Sequence, residues 1–172
     1  MRMIKQITNN RFLNIKEVKD EAMGCSGYQY AERLGVNSVA FICYDKDKGK
    51  FLINKEATPP TGDFLVRAFG GSIDKSKTYE EIVQDEVREE AGYKVRLSKV
   101  KSVGKSFVST QMNQYCYLYL VFVSDKQEVG REPENKTEEL AEVVWMSEDE
   151  INDGDDWKAI TIITKAKKLG LV

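Results

Sequence analysis

The stretch "FGGSIDKSKTYEEIVQDEVREEAGY", residues 69–93, constrains this chain more than any other. A strand, "DFLVRAF", runs into Gly70-Gly71, which end it. After the loop "SIDKSK", Thr78 serves as an N-cap, and a helix runs from about Tyr79 to Ala91, with Gly92 as its C-cap glycine. Ile82, Val83, Val87 and Ala91 give that helix an apolar flank. Its acids lie at the unfavourable end. Asp85, Glu86, Glu89 and Glu90 crowd the last two turns, where the helix dipole is negative. Glu86 lies three residues from Glu89 and four from Glu90, so the three share one face, and each like-charged pair costs roughly 0.2–0.5 kcal/mol. Arg88 points about 200° away from Glu86, at 100° per residue. An acid-rich helix taken alone is usually a solvated face. An acidic C-terminal end folded back against a Gly-Gly loop is instead a metal-site architecture. The glycines allow close approach without a Cβ clash, and a divalent cation offsets the repulsion.

The histidine count sharpens this reading. The chain contains no histidine, which removes His-based triads and His-ligated zinc and leaves carboxylates for acid–base and ligand work. Ligand sets made only of oxygen favour Mg, Mn or Ca. Cys25, Cys43 and Cys116 are odd in number, widely spaced and fit no zinc pattern; they read as small hydrophobes in a reducing cytosol. At 172 residues the chain can bury a core, and a net charge of −2 without a basic block points away from a nucleic-acid partner. No run of 18 apolar residues suggests a membrane span, and "MRMIKQITNN" has no signal-peptide core, so a cytoplasmic protein is expected.

Along the chain, residues 11–33 read as a hairpin turning at "AMGCSG", and "SVAFICYD" with "KFLINKE" as a second hairpin around "KDKGK". "ATPPTG" is a rigid loop. "KVRLSKVKSVGKSFV" supplies one or two strands, and "NQYCYLYLVFVS" is the strongest strand, with Tyr115, Tyr117 and Tyr119 alternating. Those tyrosines fit a nucleoside pocket or one face of a half-buried sheet equally well. Residues 125–139 form a long polar loop, of the kind that often carries function. "AEVVWM" is a short buried strand, Ser147 and Glu150 form a capping box, and a closing helix carries Ala159, Ile160, Ile163 and Ala166 on one stripe.

"GSIDKSKTYEEIVQDEVREEAGY" resembles the Nudix box, G-x5-E-x7-R-E-U-x-E-E-x-G-U with U apolar. Gly71, Glu86, Val87, Glu89, Glu90, Gly92 and Tyr93 fall in register. Lys77 replaces the box Glu and Asp85 the box Arg, so both signs are reversed; a swapped ion pair and two unrelated surface changes each explain this. The resemblance implies an α+β fold, an α/β/α sandwich with a central mixed sheet and an N-terminal β-hairpin extension. It implies Mg²⁺ or Mn²⁺ held by Glu86, Glu89 and Glu90, with Gly70 beside them, and Glu89 and Glu90 counted as catalytic. The outer segments are similar to the ADP-ribose pyrophosphatase branch. That likeness implies residues 1–35 as a dimer-forming extension of a domain at 36–172, and a small-molecule nucleotide substrate. It also implies a glutamate base among Glu138, Glu139 and Glu142, with Glu139 first because Glu142 looks committed to a strand. Arg67 and Lys105 are candidates for neutralising phosphates, although Lys105 also reads as a surface lysine. Tyr28 and Tyr30 are candidates for stacking on a base, with hairpin packing as the equal alternative. The expected activity is hydrolysis of the pyrophosphate in a nucleoside diphosphate linked to another moiety, ADP-ribose or a related sugar. Dinucleoside polyphosphates, nucleoside triphosphates, capped RNA ends and a catalytically silent nucleotide-binding module are the alternatives.

Overall fold

The computed structural model describes residues 1–73 and 76–172; positions 74 and 75 of the "SIDKSK" loop lie outside the described residues. Two sheets are present. The first is antiparallel and made of β1 (Arg2–Gln6), β2 (Leu13–Asp20) and β3 (Cys25–Arg33) in that order. A single 3₁₀ turn at Glu21–Met23 joins β2 to β3, and Gly24 closes it at φ 64°, where only glycine sits without strain. The sequence reading expected two strands here. β1 went unseen because its five residues are all exposed, so no burial alternation marks them.

The second sheet is mixed. Its strands run β10 (Glu142–Met146), β5 (Lys50–Thr58), β4 (Ser38–Asp45), β9 (Tyr115–Val123), β8 (Val100–Phe107), with β6 (Asp63–Arg67) on β5 and β7 (Phe69–Ser72) on β4. β4 and β9 run parallel and the other pairs antiparallel. Side chains of β4 alternate between two cores. Val39, Phe41 and Cys43 pack with Ile82, Val83 and Val87 of the acidic helix. Ala40 and Ile42 pack with Ala159, Ile162, Ile163 and Ala166 of the closing helix. Both faces of the central strands are therefore covered, which is why their sequences are continuously apolar rather than alternating. Each large side chain buried this way contributes about 1.5–3 kcal/mol. The layers are helix, sheet, helix, as expected. Cys43 and Cys116 are buried and Cys25 is partly so; all three are free thiols. No helix among the described residues is long and apolar enough to cross a membrane.

Several elements differ from expectation. Gly70-Gly71 do not end a strand. The chain breaks at Ala68 instead, and β7 leaves β5 to pair with Ser38–Phe41 of β4, the stretch that β5 does not reach. Ala57 and Thr58 belong to β5, so the rigid loop is shorter than "ATPPTG". β10 is a half-buried edge strand rather than a buried one, because β5 covers only one of its sides. The 125–139 loop contains a 3₁₀ turn at Asp125–Gln127 and a short helix α2 (Lys136–Glu139) capped by Asn135. The box at Ser147 and Glu150 caps α3 (Glu148–Asn152) as read. In the closing helix α4 (Trp157–Lys168) the buried position is Ile162, while Ile160 is only partly covered.

Candidate functional site

The acidic helix starts as its sequence dictates. Thr78 accepts a hydrogen bond from the Glu81 amide, and the Glu81 carboxylate accepts one from the Thr78 amide at 2.8 Å. α1 (Tyr79–Glu86) then follows normal helical geometry. The expected continuation to Ala91 does not. Val87–Ala91 form a π-helical turn, closed by Gly92 at φ 80°. Such wide turns recur at functional sites. Here the widened turn carries Glu90 inward, to 8% exposure, while its carboxylate accepts a hydrogen bond from the Gly70 amide at 3.2 Å. Burial, with Glu86 adding to it, pushes the Glu90 acid up to about 8, against the opposing pull of the Gly70 amide. Glu86 lies against Gly71, where a Cβ would meet its Oε1 at 2.4 Å, so any other residue there would push the Glu86 carboxylate aside.

The two reversed charges meet. Lys77 Nζ lies 2.5 Å from Asp85 Oδ2, and Lys77 precedes the N-cap, so its side chain reaches back along the helix. The contact is the one that a swapped ion pair requires.

Beside the glycines lies a polar cavity of about 160 Å³ whose lining includes Arg33, Glu56, Arg67, Gly70, Glu90 and Lys158. Each side chain arrives from a different element. Arg33 ends β3 and donates to Ser72 Oγ at 2.7 Å. Arg67 ends β6 and pairs with Glu56 of β5 at 3.3 Å. Lys158 stands in the first turn of α4, whose N-cap Asp156 also accepts the Ala68 amide at 2.7 Å.

Of the residues singled out in the sequence, the fold brings Arg67, Gly70 and Glu90 together, with Glu86 adjoining through Gly71. The Glu89 carboxylate lies 3.7 Å from Arg88, and its backbone carbonyl accepts the Glu132 amide. Tyr28 and Tyr30 sit elsewhere, in a cavity of about 750 Å³ shared with Phe107 and Tyr115, and Tyr28 donates to the Thr110 carbonyl. Lys105 Nζ lies over the Tyr115 ring at 4.4 Å and does not line the polar cavity. Among the described residues no group of three His, Cys, Asp or Glu side chains stands close enough to hold one ion.

In the late loop, Glu138 accepts bonds from the Asn135 side chain and the Glu134 amide, and Glu142 pairs with Lys55 at 3.6 Å. Among the described residues the Glu139 side chain is left without a hydrogen-bond or ion-pair partner.

The sequence reading missed Arg33, Glu56, Lys158 and Arg131. Arg131 donates to three backbone carbonyls, of Glu90 at 2.7 Å, Ala141 at 2.5 Å and Glu138 at 2.7 Å, and so clamps the late loop onto the π turn. A charged residue placed just after a strand's apolar run was the available signal for Glu56. Arg131 gave none, because its partners are distant in sequence.

Comparison with known proteins gives three findings. A family model described as "NUDIX domain" matches residues 35–165. No curated protein matches the chain. A solved structure titled "Crystal structure of ADP compounds hydrolase" is similar in fold, with TM-score 0.72 and 15% sequence identity over 99% of this chain and 95% of that one.

Proposed function

The chain belongs to the NUDIX domain family of hydrolases, and from that premise we propose that it hydrolyses the pyrophosphate of a nucleoside diphosphate linked to another moiety, in the manner of ADP-ribose pyrophosphatases. The observation that carries this reading is the glycine-cradled acidic turn, with Glu90 on the Gly70 amide, opening onto a cavity lined by Arg33, Arg67 and Lys158. The structural neighbour's title, which speaks of ADP compounds, favours ADP-ribose or a related substrate.

The residues present fit a divalent cation in their chemistry. Glu90 is an acid raised first by its burial and then by Glu86, the donors are all hard oxygens, and Gly71 leaves room that a side chain would fill. Glu86, Glu89 and Glu90, with the Gly70 backbone, would hold it once their carboxylates draw closer together than they stand here. Bound Mg²⁺ or Mn²⁺ offsets carboxylate and phosphate charge and makes the phosphorus more electrophilic. The chain's own groups do the rest. Arg33, Arg67 and Lys158 hold the phosphates by charge-assisted hydrogen bonds. Glu139 takes the proton of the attacking water. The new P–O bond forms as the bridging P–O bond breaks, leaving a nucleoside monophosphate and the phosphorylated remainder.

The test is a product screen with Mg²⁺ over ADP-ribose, other nucleotide sugars, dinucleoside polyphosphates and nucleoside triphosphates. AMP from ADP-ribose is the expected result; hydrolysis of none of them overturns the reading. Glu139→Gln is expected to lower kcat by about 10²–10⁴-fold with KM little changed, as for a lost proton acceptor. A larger loss in Glu138→Gln would move the base one residue.

The reversed pair also has a kinetic readout. Lys77→Glu and Asp85→Arg are each expected to lower kcat, and the double change to restore it, because the contact ties Lys77 to the acidic helix one residue before its Glu86 carboxylate. Strictly additive losses would show that the contact is idle.

The N-terminal sheet supports a homodimer. It exposes Met3, Ile4, Leu13 and Tyr28, each by more than two-fifths, and a three-stranded sheet cannot cover both of its own faces. Light scattering at micromolar concentration is expected to give about twice the chain mass of 19.6 kDa; the single mass would refute a dimer.

A further inference from the structure

Arg67 belongs to the cationic wall of the polar cavity, and that wall also carries a carboxylate, Glu56. An acid in a phosphate pocket repels the ligand unless its charge is fixed away from it. The strand behind it does the fixing. Asn54, Glu56 and Thr58 alternate along β5 and share one face, in line with Leu52 of the core under the acidic helix. β6 is registered so that Arg67 stands directly across from Asn54. Asn54 Nδ2 donates to Glu56 Oε2 at 3.0 Å, while Glu56 Oε1 pairs with Arg67 Nη2 at 3.3 Å. Arg67 Nη1 donates to Thr58 Oγ1 at 3.4 Å. The guanidinium is held on β5 from two sides, and a guanidinium has five N–H donors, so others are left for the cavity.

Asn54 is the member of this row that stability does not explain. It is 2% exposed and flanked by Val143 of β10 and Arg67 of β6. Its Oδ1 is buried with no hydrogen-bond partner among the described residues. Burying an amide with one half unpaired is costly, and a leucine there would extend the apolar row from Leu52 without that cost. The Glu56–Arg67 pair is partly exposed, and such a pair alone adds little stability. Resting on the reading of the polar cavity as a phosphate site, we infer that Asn54 is a positioning residue for the phosphates. It holds Glu56 against Arg67, so that the carboxylate aims the guanidinium and is kept from swinging into the cavity.

The test is calorimetry with inorganic pyrophosphate and Mg²⁺, beside melting curves. Asn54→Leu is expected to weaken pyrophosphate by about tenfold, the scale of one hydrogen bond to a charged group, and to melt no lower than the unsubstituted chain. Arg67→Ala is expected to weaken it as well, and Asn54→Leu added to Arg67→Ala to cost nothing further, because the asparagine acts through the arginine. Glu56→Gln keeps the side chain's size and tests the sign. By charge alone, removing an acid from a phosphate pocket tightens binding; here binding is expected to weaken, because a neutral amide holds the guanidinium less firmly. Unchanged affinity in Asn54→Leu, an equal further loss in the Arg67→Ala background, or tighter binding in Glu56→Gln overturns the inference and leaves the phosphate site standing. Should Asn54→Leu fail to fold, the direction of the Glu56→Gln change decides. If the unsubstituted chain does not bind pyrophosphate, or Arg67→Ala binds it equally well, the phosphate-site reading of Arg67 falls and takes the inference with it.

Discussion

Glu90→Gln is expected to reduce kcat by about 10³-fold, and at alkaline pH to make the metal-free protein more stable. The kinetic loss follows from removing one full charge from the acidic turn, where several kcal/mol of transition-state stabilisation at 1.36 kcal/mol per tenfold give that order. The geometry is kept, since the amide oxygen of glutamine still accepts the Gly70 hydrogen bond. The stability gain follows from the sign of the shift. The Glu90 acid sits at about 8 in the folded protein against an ordinary value of 4.5. A group raised on folding contributes its full stability below the unfolded value and loses it as pH climbs through the folded one. Between pH 4.5 and 8 the unfolded chain ionises first, so native stability falls throughout that window, by at most about 5 kcal/mol. Glutamine does not titrate. Melting curves in chelator are therefore expected to coincide near pH 4 and to separate toward pH 9, with the variant melting higher. Full activity in the variant, or curves that stay parallel from pH 4 to pH 9, would contradict this account of the buried acid.

Much of this fold was legible in the chain because it is local or periodic. Apolar runs such as "SVAFICYD" and "YCYLYLVFV" state that both faces of a strand will be covered, and β4 and β9 occupy the centre. Thr78, Ser147 and Gly92 mark helix ends by chemistry that needs only three or four neighbours. The spacing of Glu86, Glu89 and Glu90 announced their shared edge. What it did not announce is the π turn, which depends on contacts from outside the helix: Glu132 donates to the Glu89 carbonyl, Val129 to the Gly92 carbonyl and Arg131 to the Glu90 carbonyl. The cationic wall was illegible for the same reason. Arg33, Arg67 and Lys158 come from three places in the chain, and only the turn from β6 to β7 and the Asp156 cap on Ala68 bring them together. The Tyr28–Tyr30 pair shows the same dependence: its strand places it against Phe107 and Tyr115, in a cavity that shares no lining residue with the polar one among the described residues.

Arg131→Ala is expected to be the most destabilising change outside the acidic turn. The guanidinium satisfies carbonyls on the π turn, on α2 and just before β10, positions 41, 7 and 10 residues away in sequence. Alanine leaves three acceptors to find water in a partly buried setting, a loss of about 2–4 kcal/mol if two of the three go unmet. The packing argument agrees. Gly92 has backbone of Gly130 and Arg131 at 3.1 Å from where a Cβ would stand, so the loop is seated tightly on the helix end and cannot slide to compensate. The kinetic consequence is separate from the stability loss. Arg131 touches neither the polar cavity nor a reacting atom; it sets where α2, and with it Glu139, stands relative to Glu90. Arg131→Lys supplies charge but cannot fork toward three carbonyls, so it is expected to recover less than half of the lost stability. At a temperature where Arg131→Ala is fully folded by circular dichroism, kcat is expected to fall by about 10²-fold with little change in KM, because misplacing a catalytic group by about 1 Å has that effect while phosphate binding is untouched. A variant that melts lower yet keeps its kcat would make Arg131 a purely structural clamp and would separate the position of α2 from the chemistry.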